Sequence, residues 1–554
     1  MHSWVTVLLA TSAYATAVAQ EQQVLVNPPS KTSTTSDVPD WFKTRPQSYQ
    51  GHTATGAPPF LAQTNPAPFD LETWTANYPL ETSEPIHGAG KKNAFHLMGN
   101  LSPYYPRANG LGVDEYPHPP GSNITQMHMI HRHGSRYPTV YEGEDLQEWA
   151  DNISNAISLG ARFKKKLAFL NNWSYKLGAE MLVTRGRQEL FDSGVLNFYN
   201  YGALFNNETK IVVRTTTQDR MLKSAENFLS GFFNLEWTEK ANLLAMIEHF
   251  NFNTSLMAVY ACPRSQDLFG NYSLLPLNEW KNNYLQHRTR KLRRLSHNYN
   301  WTVEDSYKAQ QLCAYETVAV GYSPFCRLFH YKDWKGFAYA SDILFTASSG
   351  FQSPVGRALG ITWVEEFLAR VQGLPFNPLG NTAANMTLNT NPITFPVNQS
   401  LYLDFAHDNI LVSVLTAFGL KQFNKYLPPD GPPDGQEFHS GKIVPFAARL
   451  NIEIIWAPYK VKRHRSHDVN KDPYIRGTED TYYVHFLLNQ RTIPLHDSFK
   501  KCEYRSDGWC ELSTFLRIQS RSLKKANFDL SCTGNWTLGN YRDVHDGVPP
   551  KSWY

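Results

Sequence analysis

The sequence predicts an α/β protein, a strand-built core into which a mainly helical region has been inserted. Three observations carry this. A strand pattern stands early, in ITQMHMIHRHG (124–134). Apolar residues at helical spacing fill much of 142–330, and strand patterns return in the last third. That order is expected of an α/β core interrupted by helices. At 554 residues the chain exceeds one simple core, so two closely packed parts are expected.

The elements follow in order. MHSWVTVLLATSAYATAVAQ has an apolar run ending in Ala17-Val18-Ala19 and reads as a signal peptide over 1–19. Residues 20–90 are rich in Pro, Ser, Thr and Gln and read as an extended arm. The catalytic α/β part is expected over 91–141 and 331–554, with the helical insertion over 142–330. In the 124–134 strand, Ile124, Gln126, His128 and Ile130 share one face, and Met127, Met129 and His131 the other. EDLQEWADNISNAISLGARFKKKLAFLNNW reads as helix. KIVVRTTT (210–217) reads as a strand inside the insertion, followed by a helix in DRMLKSAENFLSGFF. SLYLDFAHD (400–408) reads as strand then loop, and NILVSVLTAFGL as a helix. RLNIEIIWAPY and DTYYVHFLLNQRTIPL read as strands joined by a long basic loop, 459–479.

Composition narrows the class. The net charge is +4, from 53 basic and 49 acidic residues, too balanced for a dedicated nucleic-acid binder. HRTRKLRR (287–294) reads as a solvated helix face. After the leader, no segment approaches the roughly 18 apolar residues of a membrane span. Eleven N-x-S/T sequons occur, at Asn100, Asn123, Asn152, Asn172, Asn207, Asn253, Asn271, Asn300, Asn385, Asn398 and Asn535, which fits a secreted glycoprotein. Six cysteines, an even number, fit disulfides in an oxidising compartment, with 15 pairings open.

HMIHRHGSRYP (128–138) gathers three histidines and two arginines with no acid. A metal site is disfavoured, because two fixed guanidinium charges would repel a dication and no carboxylate or thiolate lies in the stretch. Nucleic acid is disfavoured by the balanced charge. A bland alternative is surface arginines with core histidines. The remaining reading is an anion pocket. Arg132 and Arg136, four apart on a strand-to-loop turn, can fork onto one tetrahedral anion. Gly134 would let the backbone turn close to the ligand, and His133 would stand ready to attack phosphorus.

Arg132-His133-Gly134-Ser135-Arg136-Tyr137-Pro138 matches R-H-G-x-R-x-P, and His407-Asp408 follows a strand and precedes a helix. Asp219-Arg220 fits D-R-x-x-x-S/T. These residues resemble the signature of the histidine acid phosphatases, and 95–535 is similar to the fungal phytases and phytase-like acid phosphatases among them. The resemblance implies a phosphoglycerate-mutase-like α/β core. It also implies a metal-independent phosphomonoesterase with no cofactor, an acid optimum and a phosphohistidine intermediate. His133 would be the nucleophile and Asp408 the proton donor, and Arg132, Arg136, Arg220 and His407 would hold the phosphate. The same resemblance implies the disulfides Cys262–Cys532, Cys313–Cys326 and Cys502–Cys510.

Further expectations are a monomer acting on small phosphate monoesters, inositol phosphates among them. It would be secreted, with N-linked glycans that tie it to a cell wall as one option. The family's cysteines near the N-terminus are missing here, the arm is long, and the basic loop looks inserted. The cluster KVKRHRSH (460–467) and Lys164–Lys166 are the candidates for receiving further phosphates of phytate. Asp404, Arg214 and His131 read as supporting residues. The rival functions are a catalytically silent binding or wall protein and a mutase-like enzyme. The intact His133 and Asp408 count against the first; the leader, the sequons and the His407-Asp408 pair count against the second.

Overall fold

The computed structural model describes residues 86–554 apart from 91, 107–109 and 207. The expected leader and nearly all of the arm lie outside the described residues. Strand β1 is Asn123–Arg132, followed by α1 (Val140–Ser158), α2 (Thr184–Tyr201), β2 (Ile211–Thr216), α3 (Asp219–Phe233) and β3 (Ala241–Met246). Then come α4 (Leu274–Arg293), α5 (Val303–Val320), α6 (Tyr331–Ser348), α7 (Gly356–Gln372), β4 (Leu401–Ala406) and α8 (Asp408–Phe418). The chain continues with β5 (Arg449–Ala457), β6 (Thr481–Leu488), β7 (Arg491–Thr492), β8 (Cys510–Glu511) and α9 (Leu512–Ala526).

The main sheet runs β8-β6-β5-β1-β4-β2-β3, with β7 paired to β6. Strands β1, β4, β2 and β3 are parallel, and β5, β6 and β8 add an antiparallel flank. The alternation of β1 shows in its packing. Ile130 joins the core formed with α7 and α8, and the His128 ring stacks on Tyr402 and meets Phe367 of α7 edge-on. Met127 and Met129 face α3, and the His131 ring lies against Phe228. Helices therefore cover both faces, which is why β4 (LYLDFA) is buried along its whole length.

Two strands from within 142–330, β2 and β3, belong to this main sheet. Strand β3 carried no clear sequence signal: ANLLAM has no β-branched residue. The helix expected from 144 stops at Ser158. Gly160 takes a φ of +95°, and the chain then forms the short strand Arg162–Phe163 and the 3-10 turn Lys165–Asn171. Helices α1, α4 and α5 share a separate core with residues 86–101, around Trp149, Trp301 and Trp334. In the basic run of α4, Arg288 departs from the solvated face: it is buried on Asp333 at 2.7 Å. Disulfides join Cys262 to Cys532, Cys313 to Cys326 and Cys502 to Cys510.

Candidate active site

The four parallel strands end together, and the turn after each contributes a side chain. His133 follows β1 and His407-Asp408 follows β4. Arg220 is the second residue of α3, after β2, and Glu248 follows β3. Ligands of open α/β sheets bind at these carboxyl ends, where the N-termini of the following helices, here α3 and α8, add partial positive charge.

The 133–139 turn is held from behind. Glu189 of α2 accepts from the Ser135 amide at 2.8 Å and the Ser135 hydroxyl at 3.0 Å. Gly134 has a negative φ, and its missing side chain makes room for α2. A Cβ there would lie 2.2 Å from the Gly186 carbonyl, and one on Gly186 would lie 1.9 Å from the Ser135 carbonyl. The pair lets the turn touch α2. The ring of His131 bridges the Arg132 carbonyl and the Ser193 hydroxyl, a core role.

His133 is buried, and its Nδ1 lies 2.9 Å from the Gly134 carbonyl. A carbonyl only accepts, so Nδ1 carries the proton and Nε2 keeps its lone pair. Burial, then Arg132, Arg220 and Arg136, hold this imidazole well below its ordinary pKa.

Arg132 donates through Nη1 to the carbonyls of Asn100 and Val444, and its Nη2 lies 2.6 Å from Asp408 Oδ2. Arg136 reaches Glu142 at 3.3 Å and the Tyr315 hydroxyl at 3.4 Å. Arg220 pairs with Glu180. Burial lowers Arg132 and Arg220 to about 10, still fully charged. The Nε atoms of all three are buried without a partner.

The His407 and His133 rings are 5.7 Å apart, and His407 Nε2 meets Glu248 Oε2 at 2.9 Å. Burial pushes the Asp408 carboxyl up, but Arg132, Arg136 and the Asn100 amide at 3.2 Å outweigh it and hold the group below its ordinary value. His407 is the N-cap of α8, and Asp408 is its first residue.

All six residues singled out from the sequence thus converge. Four others were not anticipated as part of the site: Asn100, Glu142, Glu180 and Glu248. Asn100 was read as a glycan acceptor, yet its Nδ2 donates to Asp408 and its Oδ1 accepts from Ser341. The expectation for 460–467 is corrected. Strand β5 runs antiparallel to β1, pairing Arg449 with His131 and Trp456 with Asn123, so the loop after β5 leaves from the opposite end of the sheet, roughly 30 Å away at strand rise. Its cations serve local ties there: Lys460 to Glu511, Arg463 to Glu503, Arg465 to Asp507 and Arg476 to Asp472.

Residues 123–489 match the family model of the histidine phosphatase superfamily, branch 2. Phytase A of Aspergillus fumigatus is 28% identical over 444 residues, covering 76% of this chain and 87% of its own length. An acid phosphatase of Schizosaccharomyces pombe is 27% identical over 473 residues, covering 82% and 94%. In fold, the chain is similar to the crystal structure of the phytase from D. castellii, with a TM-score of 0.62 and 20% identity, over 83% of this chain and 90% of that one. With the matched segment spanning β1 to β6 and every strand end that lines the site, the chain belongs to branch 2 of the histidine phosphatase superfamily.

Proposed function

We propose that this enzyme is a secreted acid phosphatase that hydrolyses phosphate monoesters through a phosphohistidine at His133. The observation that carries the reading is a buried imidazole, its Nδ1 turned to the Gly134 carbonyl and its charged form disfavoured by burial and by Arg132, Arg220 and Arg136, with the Asp408 carboxyl on Arg132. Arg132, Arg136 and Arg220 gather the non-bridging oxygens, with His407 as a further donor, and stabilise charge in the transition state. His133 Nε2 attacks phosphorus as the bond to the leaving oxygen breaks, and Asp408 gives that oxygen its proton. Water then attacks the phosphohistidine, Asp408 takes a proton back, and orthophosphate leaves.

Asp408 must be protonated for the first step, yet the free site favours its anion. The charge of the arriving phosphate offsets the Arg132 and Arg136 fields and raises this carboxyl toward the acid range. Activity therefore falls above mildly acid pH. Secretion is supported by the sequence of 1–19, by three disulfides and by exposed sequons such as Asn123, Asn152, Asn253 and Asn398. No helix among the described residues is long and apolar enough to cross a membrane.

Hydrolysis of inositol hexakisphosphate is the second reading, favoured by the phytase relatives. Against it stand Glu142 and Glu180, which put negative charge beside the arginines. The test compares kcat/KM for p-nitrophenyl phosphate and phytate at about pH 5 without added metal, with His133→Ala as control. We expect turnover of both, higher on the aryl ester, and none in the control. A strong preference for phytate selects the second reading, and wild-type rates equal to the control refute both.

A further inference from the structure

A basic groove lies at the far end of α8 from Asp408. It encloses about 360 Å³, and no Asp or Glu is among its lining residues. The 11 residues of α8 separate its floor at Gly419 from the active site by about 16 Å. One wall is α9, where Arg517, Arg521 and Lys525 stand four residues apart on one face. The other walls are Lys421 and the pair Lys500-Lys501, which precedes the Cys502–Cys510 disulfide.

The charge here is less offset than in the 459–479 loop. In the 459–479 loop Lys460, Arg463, Arg465 and Arg476 each meet a carboxylate. In the groove only Arg357 and Lys525 do, and both share Asp546. Among the described residues Lys421, Lys500, Lys501, Arg517 and Arg521 have no carboxylate within salt-bridge reach. Like charges at four-residue spacing oppose the helix that carries them, and a concave wall adds repulsion across the gap. Five cations without a carboxylate partner, of which Arg517 also donates to the Ser513 carbonyl and the Thr514 hydroxyl of its own helix, match a ligand that brings several negative charges at once.

We propose that this groove is a second, non-catalytic site for a ligand with three or more closely spaced phosphate groups. The row on α9 spans about 12 Å, longer than a single orthophosphate, so one phosphate engages only part of the site. A linear oligophosphate and a polyphosphorylated ring share this chemistry.

The test is calorimetric titration of the full chain with tripolyphosphate and, separately, with myo-inositol hexasulfate. Saturating orthophosphate fills the active site throughout. We expect each wild-type molecule to bind one tripolyphosphate. The affinity should fall about tenfold or more in Arg517→Gln/Arg521→Gln, with a drop in the same direction in Lys500→Gln/Lys501→Gln. Added salt should weaken binding. Turnover of p-nitrophenyl phosphate should be unchanged in both variants, which also reports on folding. Tighter binding of tripolyphosphate assigns the groove to a chain, and tighter binding of the hexasulfate to a ring. No binding in the wild type under orthophosphate, or equal binding in wild type and variants, overturns the proposal.

Discussion

Two groups of arginine and carboxylate lie within a few residues of each other in the same sheet. In the first, Arg214 of β2 faces Asp404 of β4 in register, and Arg370 and Glu366 of α7 close the group. Asp404 also accepts from the Trp363 indole at 2.8 Å, and Glu366 from Ser255 and Asn389. Two cations meet two anions, and the two carboxylates are 2% and 0% exposed. In the second, around His133, each arginine holds a different carboxylate, and these are more open: Asp408 at 15%, Glu142 at 36% and Glu180 at 33%. The difference lies in access. The sealed group is committed to holding β2, β4 and α7 together, whereas partners within reach of water can be exchanged for a phosphate.

The contrast breaks first at Asp408. Asp408→Asn should lower kcat about 10²–10⁴-fold on alkyl phosphates and much less on p-nitrophenyl phosphate, whose leaving group needs no proton. An equal loss on both would mean that Asp408 is not the acid. Next is Asp404→Asn, which leaves Arg214 and Arg370 buried with too little negative charge. We expect a loss of about 3–5 kcal/mol in urea unfolding, with kcat per folded molecule retained. A large fall in kcat without loss of stability would erase the distinction between the groups.

The pH dependence of Asp404 follows from its sign. Burial raises its pKa, but Arg214 and Arg370 outweigh burial and depress it strongly. Its contribution is therefore complete above the ordinary carboxylate pKa and is lost progressively as pH falls from there through the depressed folded value. The wild type keeps this contribution across the mildly acid range. The stability gap to Asp404→Asn should close only in strong acid.

Two smaller effects sharpen the comparison. Asn100→Ala removes a donor to the Asp408 anion, so the Asp408 pKa should rise. The alkaline limb of the activity profile should move up by about half a pH unit. Glu180→Gln frees Arg220 of a competing charge and should lower KM for phosphate esters by about two- to fivefold, with kcat nearly constant. An unchanged KM would assign Glu180 to loop structure alone, through its bond from the Val140 amide.

What could be read from the sequence follows the same division. Arg132, His133 and Arg136 lie on one turn, and His407 and Asp408 are adjacent, so local spacing revealed them. Glu248, Glu180 and Asn100 come from three unrelated loops. They reach the site only because β3 lies beyond β2 and because 86–101 and the 174–183 segment fold over it. No periodicity encodes that. The 459–479 loop shows the converse: charge density was plain, but only the antiparallel register of β5 tells which end of the sheet receives it. The alternation of β1 was legible because its two faces pack on two different layers. The edge strand β3 was not, being short and half-exposed.

Strand β1 sits in the middle of the sheet, and both its neighbours arrive late. Its parallel partner β4 begins 278 residues after β1 starts, and its antiparallel partner β5 ends at Ala457. During synthesis at roughly 5–20 residues per second, the unpaired backbone edges of this strand wait on the order of tens of seconds for a mate. A chain released before β5 has emerged holds His133 at the end of a strand with one edge still unpaired. The site, built from the ends of strands this far apart in the chain, is therefore completed late in assembly.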